Sequence, residues 1–148
     1  MTIRIEVLGP ADAAVLERVA PDLFDDPVDA GATAEVLADP RHHLVVALDG
    51  ETVVGFVSAV HYVHPDDPRP ELWVNEVAVA ASHRRRGIGR RMIEAALGLA
   101  GRLGCSEAWV LADRSNQAAH RLYRSAGGVA HREASVLFTF TPTPGADA

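Results

Sequence analysis

Five arginines and two glycines fall within ten residues, His83-Arg84-Arg85-Arg86-Gly87-Ile88-Gly89-Arg90-Arg91-Met92, with no acid among them. An apolar, β-branched segment precedes this stretch and a helical pattern follows it. It therefore reads as strand, arginine loop, helix start. A helix N-terminus leaves backbone N–H groups without intrahelical partners, and its dipole favours an anion. Glycine lets backbone approach a ligand closely. The chemistry this predicts is a phosphate or pyrophosphate cradle. A second chemical group lies just upstream. Glu76 stands inside the apolar strand Leu72-Trp73-Val74-Asn75-Glu76-Val77-Ala78-Val79. A carboxylate there is expensive to bury without a partner or a purpose. Its ordinary alternative is a strand residue that faces solvent or pairs with an arginine.

These groups need a scaffold, and the patterning supplies one. Ile3, Ile5 and Val7 alternate as a strand, and Pro10 opens a helix through Ala20. The segment from Pro21 to Asp29 is an acidic loop, followed by a short helix from Ala30 to Ala38 that stops before Pro40. Strands are predicted over His43–Leu48 and Thr52–Tyr62, joined by the turn Asp49-Gly50, and over Glu71–Val79, with His64–Pro70 as a loop between the last two. An amphipathic helix covers Gly87–Leu103, burying Ile88, Met92, Ala95, Ala96, Leu99 and Leu103, and Gly104 stops it. A short strand over Ala108–Leu111 follows. Ser115 or Asn116 then caps a helix to Ala126, and a last strand is predicted over Ser135–Phe140. The fold class is mixed α/β (α+β) in a single domain, residues 1–141, with a loose tail at 142–148.

The composition narrows the chemistry. The 148 residues carry a net charge of −6 and include one cysteine, Cys105, and no lysine. Residues 1–82 carry a net −11 and residues 83–148 a net +5. A chain divided this way can present two faces of opposite sign, one suited to an anionic cofactor and one to a cationic substrate. Two solvated surfaces without function are the plain alternative. A lone cysteine and the lack of a signal-peptide pattern predict a cytoplasmic protein. A membrane partner is not expected, because no apolar run approaches the roughly 20 residues needed to span a bilayer. A dinucleotide fold needs a third glycine where Met92 stands, and a P-loop needs a lysine. Nucleic acid is a poor fit, since no aromatic residues interleave with the arginines. The histidines show no metal-ligand spacing, so no metal is expected.

Two spaced motifs resemble the GNAT superfamily of N-acetyltransferases. Arg84, Gly87 and Gly89 match its Arg/Gln-x-x-Gly-x-Gly/Ala signature. Asn116, Ala119, Leu122, Tyr123 and Gly127 match its Asn-x-x-Ala-x-x-Leu-Tyr-x-x-x-Gly helix. The resemblance covers the element order from the first strand to Phe140. It implies a GNAT-like domain, with a central, mostly antiparallel sheet, splayed fourth and fifth strands, and flanking helices. It implies acetyl-CoA as cofactor, its pantetheine arm along Val77, Ala78 and Val79. The pyrophosphate would lie on the N–H groups of residues 85–90, namely Arg85, Arg86, Gly87, Ile88, Gly89 and Arg90. The guanidinium groups of Arg84, Arg85, Arg86 and Arg90 are candidates for phosphate contacts, two or three of them making one. Asn116 would contact the cofactor as well as cap its helix. Tyr123 would protonate the departing thiolate; by spacing alone it is a core aromatic of an amphipathic helix. Glu76 would take the proton of the attacking ammonium, directly or through water, a task that suits a raised pKa, with Glu71 as second candidate. The chemistry needs no cysteine, and Trp73 and Trp109 read as packing aromatics.

Within that superfamily the chain looks most like the type I aminoglycoside 3-N-acetyltransferases. The length, the strand Glu71–Val79 and the pair Ala112-Asp113 carry this likeness, although those relatives tend to have Tyr-Asp where this chain has Asn75-Glu76. It implies a small cationic amine as substrate, an aminoglycoside antibiotic being the example, and hence antibiotic resistance. Glu76, Asp113, Asp25, Asp26 and Glu133 are the candidate substrate-binding acids; for Asp25 and Asp26 ordinary loop acids are the alternative. A protein, peptide or other small-amine acetyltransferase, or a non-catalytic CoA-binding module, are the competing readings. Many relatives dimerise, which makes a homodimer a further expectation.

Overall fold

The computed structural model describes residues 2–131 and 136–145. Its centre is a five-stranded sheet in the order β1-β2-β3-β4-β5. These are β1 (Ile3–Val7), β2 (His42–Asp49), β3 (Thr52–His64), β4 (Asp67–Val79) and β5 (Glu107–Val110). The first four pair antiparallel and β4 pairs parallel with β5. The mixed α/β domain with a mostly antiparallel sheet is therefore the observed architecture. The helices are α1 (Ala30–Ala38), α2 (Ile88–Arg102) and α3 (Gln117–Ser125). Among the described residues, no helix is long and apolar enough to cross a membrane.

The middle of the sheet is buried on both faces, which is why β2 reads as the unbroken apolar run Leu44–Leu48. Helix α2 covers one face. Its stripe of Ile88, Met92, Ile93, Ala96 and Ala100 is buried, and burying Met92 or Ile93 contributes about 2 kcal/mol each. Met92 lies over Gly55 of β3, where a Cβ would meet its Cε at 2.9 Å. A larger residue at position 55 would force the end of the Met92 side chain to move and would crowd Ala78 O, at 3.2 Å. The other face is covered by the segment Pro10–Glu17 and by α1, with Leu16, Leu23 and Leu37 inserted. Asp29 caps α1, accepting the Ala32 N–H at 2.7 Å.

Four expectations change. The segment after Pro10 is a 3-10 helix that ends at Glu17 rather than an α-helix to Ala20. The chain there turns onto β3: Arg18 O accepts the Val53 N–H and Val53 O accepts the Ala20 N–H, at 2.8 and 2.9 Å. That tertiary pairing outcompetes helix propagation. The predicted loop His64–Pro70 is a tight hairpin, and β4 already starts at Asp67 despite two prolines. Asp67 makes this possible by accepting from the Arg69 backbone and guanidinium at 3.0 to 3.2 Å. The last predicted strand is not formed. Val136–Phe140 has no regular secondary structure and its apolar side chains are exposed, because the segment is not paired with β5 or any other strand; Ser135 lies outside the described residues. Trp73, expected as a packing aromatic, is 38 % exposed.

Candidate active site

Strands β4 and β5 are joined only over Glu71–Val74 and Glu107–Val110. From Asn75 onward, among the described residues, β4 keeps its pairing with β3 alone, so its other edge is unpaired by them through Val79. The parting begins at a register shift: Ser58 lies opposite Glu76, whereas Ala59 lies opposite Val74, leaving Asn75 as the extra residue. This bulge sets Glu76 and Ala78 beside Ser58 and Phe56 on the face opposite α2. An open cleft of about 1910 Å³ runs through the gap. Its walls include Val77, Ala78, Glu76, Asn116 and Tyr123, together with Asp25, Asp26 and Asp113.

The arginine stretch forms the turn into α2. Gly87 takes the left-handed conformation at φ +75°, as does Arg85 at φ +62°. A non-glycine residue in that region is strained, and such strain persists where the surroundings over-determine it. No side chain caps α2. The first intrahelical bond of the turn is Arg91 N–H to Gly87 O at 3.2 Å, so the N–H groups of Ile88, Gly89 and Arg90 have no acceptor within the helix. The arginines divide. Arg84 is held by its Nε donating to Val79 O at 3.0 Å, Arg90 pairs with Glu94 at 2.8 Å, and Arg91 donates to Ile3 O at 3.0 Å. Arg85 and Arg86 are exposed. Gly89 has a structural task beyond ligand approach, for a Cβ on it would meet Leu122 of α3 at 3.1 Å.

Two anchors absent from the sequence reading fix the turn. His83 spans from Ser82 Oγ at 2.7 Å to Asp49 Oδ2 at 2.8 Å, tying it to the β2–β3 hairpin. Asp22 accepts the Ala81 N–H at 2.8 Å across 59 residues of sequence. That bond is the main cause holding the Asp22 carboxyl below the usual range, with the Arg84 charge adding to it. Asp22 opens the loop that carries Asp25 and Asp26, and Phe24 of that loop stacks on Phe56 at 4.3 Å. Nothing local signals either anchor, because each partner is remote in sequence.

The other predicted residues are placed as follows. Tyr123 is half-buried on α3 against the core, and burial pushes its phenol pKa up. Asn116 caps α3, its Oδ1 accepting the Ala119 N–H at 3.0 Å. Glu76 is exposed to the cleft, the solvent-facing alternative of the two weighed for it, because the bulge turns it out of the core. Val79 lies beside Gly55 at the far end of β4. Asp113 is exposed and its carbonyl accepts from His120 Nε2 at 2.9 Å. Glu133 lies outside the described residues. Glu71 is engaged by His64 at 2.6 Å. Cys105 is partly buried, which pushes its thiol up and suits an inert residue.

Residues 13–127 match the model of the Acetyltransferase (GNAT) family. The chain belongs to that family. GNAT enzymes use acetyl-CoA as acyl donor, and the present chain is an acetyl-CoA-dependent N-acetyltransferase. It is similar to the N-alpha-acetyltransferase RimI of Mycobacterium tuberculosis, at 35 % identity over 84 % of this chain and 77 % of the relative. It also resembles the protein ML0378 of Mycobacterium leprae at 33 % identity, spanning 99 % of this chain but only 39 % of that protein. Among solved structures, an aminoglycoside acetyltransferase from an uncultured soil metagenomic sample, in complex with trehalose, superposes with a TM-score of 0.79 at 26 % identity, over 95 % of this chain and 97 % of that one. The same enzyme in complex with sisomicin superposes equally well, at 25 % identity and over the same shares. The open helix N-terminus, the exposed Arg85 and Arg86 and the free edge of β4 fit the pyrophosphate and amide groups of CoA.

Proposed function

We propose that this enzyme acetylates a primary amine of a small polycationic acceptor of the aminoglycoside kind. The carrying observation is the cleft itself: Tyr123 and Glu76 share it with Asp25, Asp26 and Asp113, and acidic residues outnumber the arginines Arg114 and Arg124 in its lining. Two structures of a soil aminoglycoside acetyltransferase, one with sisomicin, support this reading.

The donor is held by the N–H groups of residues 85–90, with Arg85 and Arg86 as the phosphate contacts and Arg84 and Arg90 shaping the turn. The edge of Val77, Ala78 and Val79 would hold the pantetheine amides, with Asn116 beside the arm. Acetyl-CoA supplies the thioester whose carbonyl carbon the amine attacks. Glu76 takes a proton from the ammonium, so that the free amine forms the new C–N bond. As the C–S bond breaks, Tyr123 gives its phenolic proton to the sulfur, the nitrogen of the new amide sheds its second proton to water, and water reprotonates the phenolate. A half-buried phenol with a raised pKa remains protonated at neutral pH and is available for that step. Asp25, Asp26 and Asp113 hold the further ammonium groups of the acceptor through exposed charges.

The test is release of CoA thiol with a panel of aminoglycosides, linear polyamines, amino acids and peptides, with the acetylated nitrogen located by NMR. The likeness to type I 3-N-acetyltransferases makes the 3-amino group the expected position. Turnover of peptides with none of any aminoglycoside or polyamine would overturn the proposal. It would favour N-terminal peptide acetylation, the reading that the RimI likeness carries.

A further inference from the structure

Below the point where β4 and β5 part, the two strands present an arrangement that the acetyl-transfer chemistry leaves unused. Trp73 lies directly opposite Trp109, and their rings stack at 5.5 Å with planes 13° apart. One rung further along the same face, Glu71 lies opposite Glu107. Tyr62, opposite Glu71 on β3, extends the aromatic surface, its hydroxyl accepting the Trp109 Nε1–H at 3.0 Å. His64 engages Glu71, while Glu107 is exposed.

As a structural device this arrangement is costly. Like charges directly opposite one another destabilise a strand pair, and an exposed indole leaves apolar area in water. Its chemistry is complementary to one class of group. An ammonium is attracted both by carboxylates and by the face of an indole. The patch is also continuous with the reaction cleft, because Glu107 and Trp109 line that cleft together with Glu76 and Tyr123. Measured against β3, which carries no extra residue here, Glu76, Trp73 and Glu71 lie opposite Ser58, Val60 and Tyr62, so Trp73 and Glu71 are two and four residues along the sheet from Glu76, about 7 and 13 Å at the rise of a strand.

We propose that the Trp73–Trp109 stack and the Glu71–Glu107 rung form a distal ammonium subsite. It holds a second amine of the acceptor about 7 to 13 Å from the one acetylated. This rests on the acetyl-transfer reading of the cleft and narrows the acceptor to molecules with at least two well-separated amines.

The chain's two tryptophans are both in the stack, so intrinsic tryptophan fluorescence reports on this patch alone. Spermine added to the CoA-saturated enzyme is expected to change the emission saturably. Glu107→Gln should weaken that binding several-fold, and Trp73→Leu more so. In turnover assays with a series of α,ω-diamines and matching monoamines, the diamine of fitting length should be preferred about tenfold in kcat/KM. Both variants should lose far more with the diamine than with the monoamine. Glu107 is exposed, so its substitution tests the idea even if the tryptophan variant folds poorly. Emission unaltered by spermine, or equal losses with both amine classes, would overturn the subsite. If the fluorescence response is present but no amine is acetylated, the subsite stands and the transfer reading fails.

Discussion

At the residue scale the proposed mechanism depends on two side chains in different surroundings. Tyr123 is half-buried and its pKa is raised by that burial, whereas Glu76 faces the cleft. Tyr123→Phe should lower kcat about 100-fold while leaving the affinity for acetyl-CoA, measured by calorimetry, nearly unchanged. A rate equal to wild type would remove Tyr123 as the acid. The pH profile follows from the same shift. The acid must be protonated, so activity is lost only as pH rises through the raised phenol pKa, above its ordinary value of 10.0. Tyr123→Phe should abolish that alkaline limb. Glu76→Gln should also lower kcat, and its loss should shrink as the pH is raised toward the amine's own pKa, where free amine forms without a base.

At the element scale the turn into α2 is fixed by contacts from three directions. Gly89 allows α3 to approach, and Gly89→Ala would force Leu122, the neighbour of Tyr123, to move. We expect about 1–3 kcal/mol of destabilisation, read from the denaturation midpoint, and a fall in kcat from displacement of the phenol. Asp22 links this turn to the loop carrying Asp25 and Asp26. Asp22→Ala should raise KM for acetyl-CoA with little change in thermal midpoint, and Asp22→Asn, which keeps an acceptor oxygen, should recover part of the loss. The Asp22 pKa is depressed, so this link is present above the ordinary carboxylate range and is lost as pH falls through the lowered value. Element boundaries were legible where they follow periodicity. Helix α2 and the capping Asn116 lie where the sequence places them, while the buried stripe of α2 shares Ile88, Met92 and Ala96 with the expected one and takes Ile93 and Ala100 in place of Ala95, Leu99 and Leu103. The 3-10 helix before Arg18 and the early start of β4 were not, because each is decided by partners remote in sequence or by a hairpin that a proline count conceals.

At the scale of the molecule, exposed charges of opposite sign stand at the α2 turn and on the cleft wall. Arg85 and Arg86 stand at the α2 turn, and Asp25, Asp26 and Asp113 stand on the cleft wall. Exposed charges of this kind act through fields screened within about 8 Å at physiological salt. Raising ionic strength should therefore increase KM for both acetyl-CoA and a polycationic acceptor, while KM for a neutral amine such as hydroxylamine stays nearly flat. Equal salt dependence for charged and neutral acceptors would show that the acidic wall does not attract the acceptor.

The donor side of this enzyme was written locally. Arg84, Gly87 and Gly89 in one stretch and Asn116 to Gly127 in another identify it, because a helix N-terminus and its turn are built from neighbouring residues. The acceptor side was not. Glu76 becomes a cleft residue through a bulge opposite Ser58 and Ala59, and Asp22 becomes an anchor through Ala81. Two tryptophans separated by 36 residues become one surface only when β4 and β5 pair in parallel. The physical reason is the same in each case: strand register brings distant residues together, and no periodicity within a strand encodes which residue of another strand it will face.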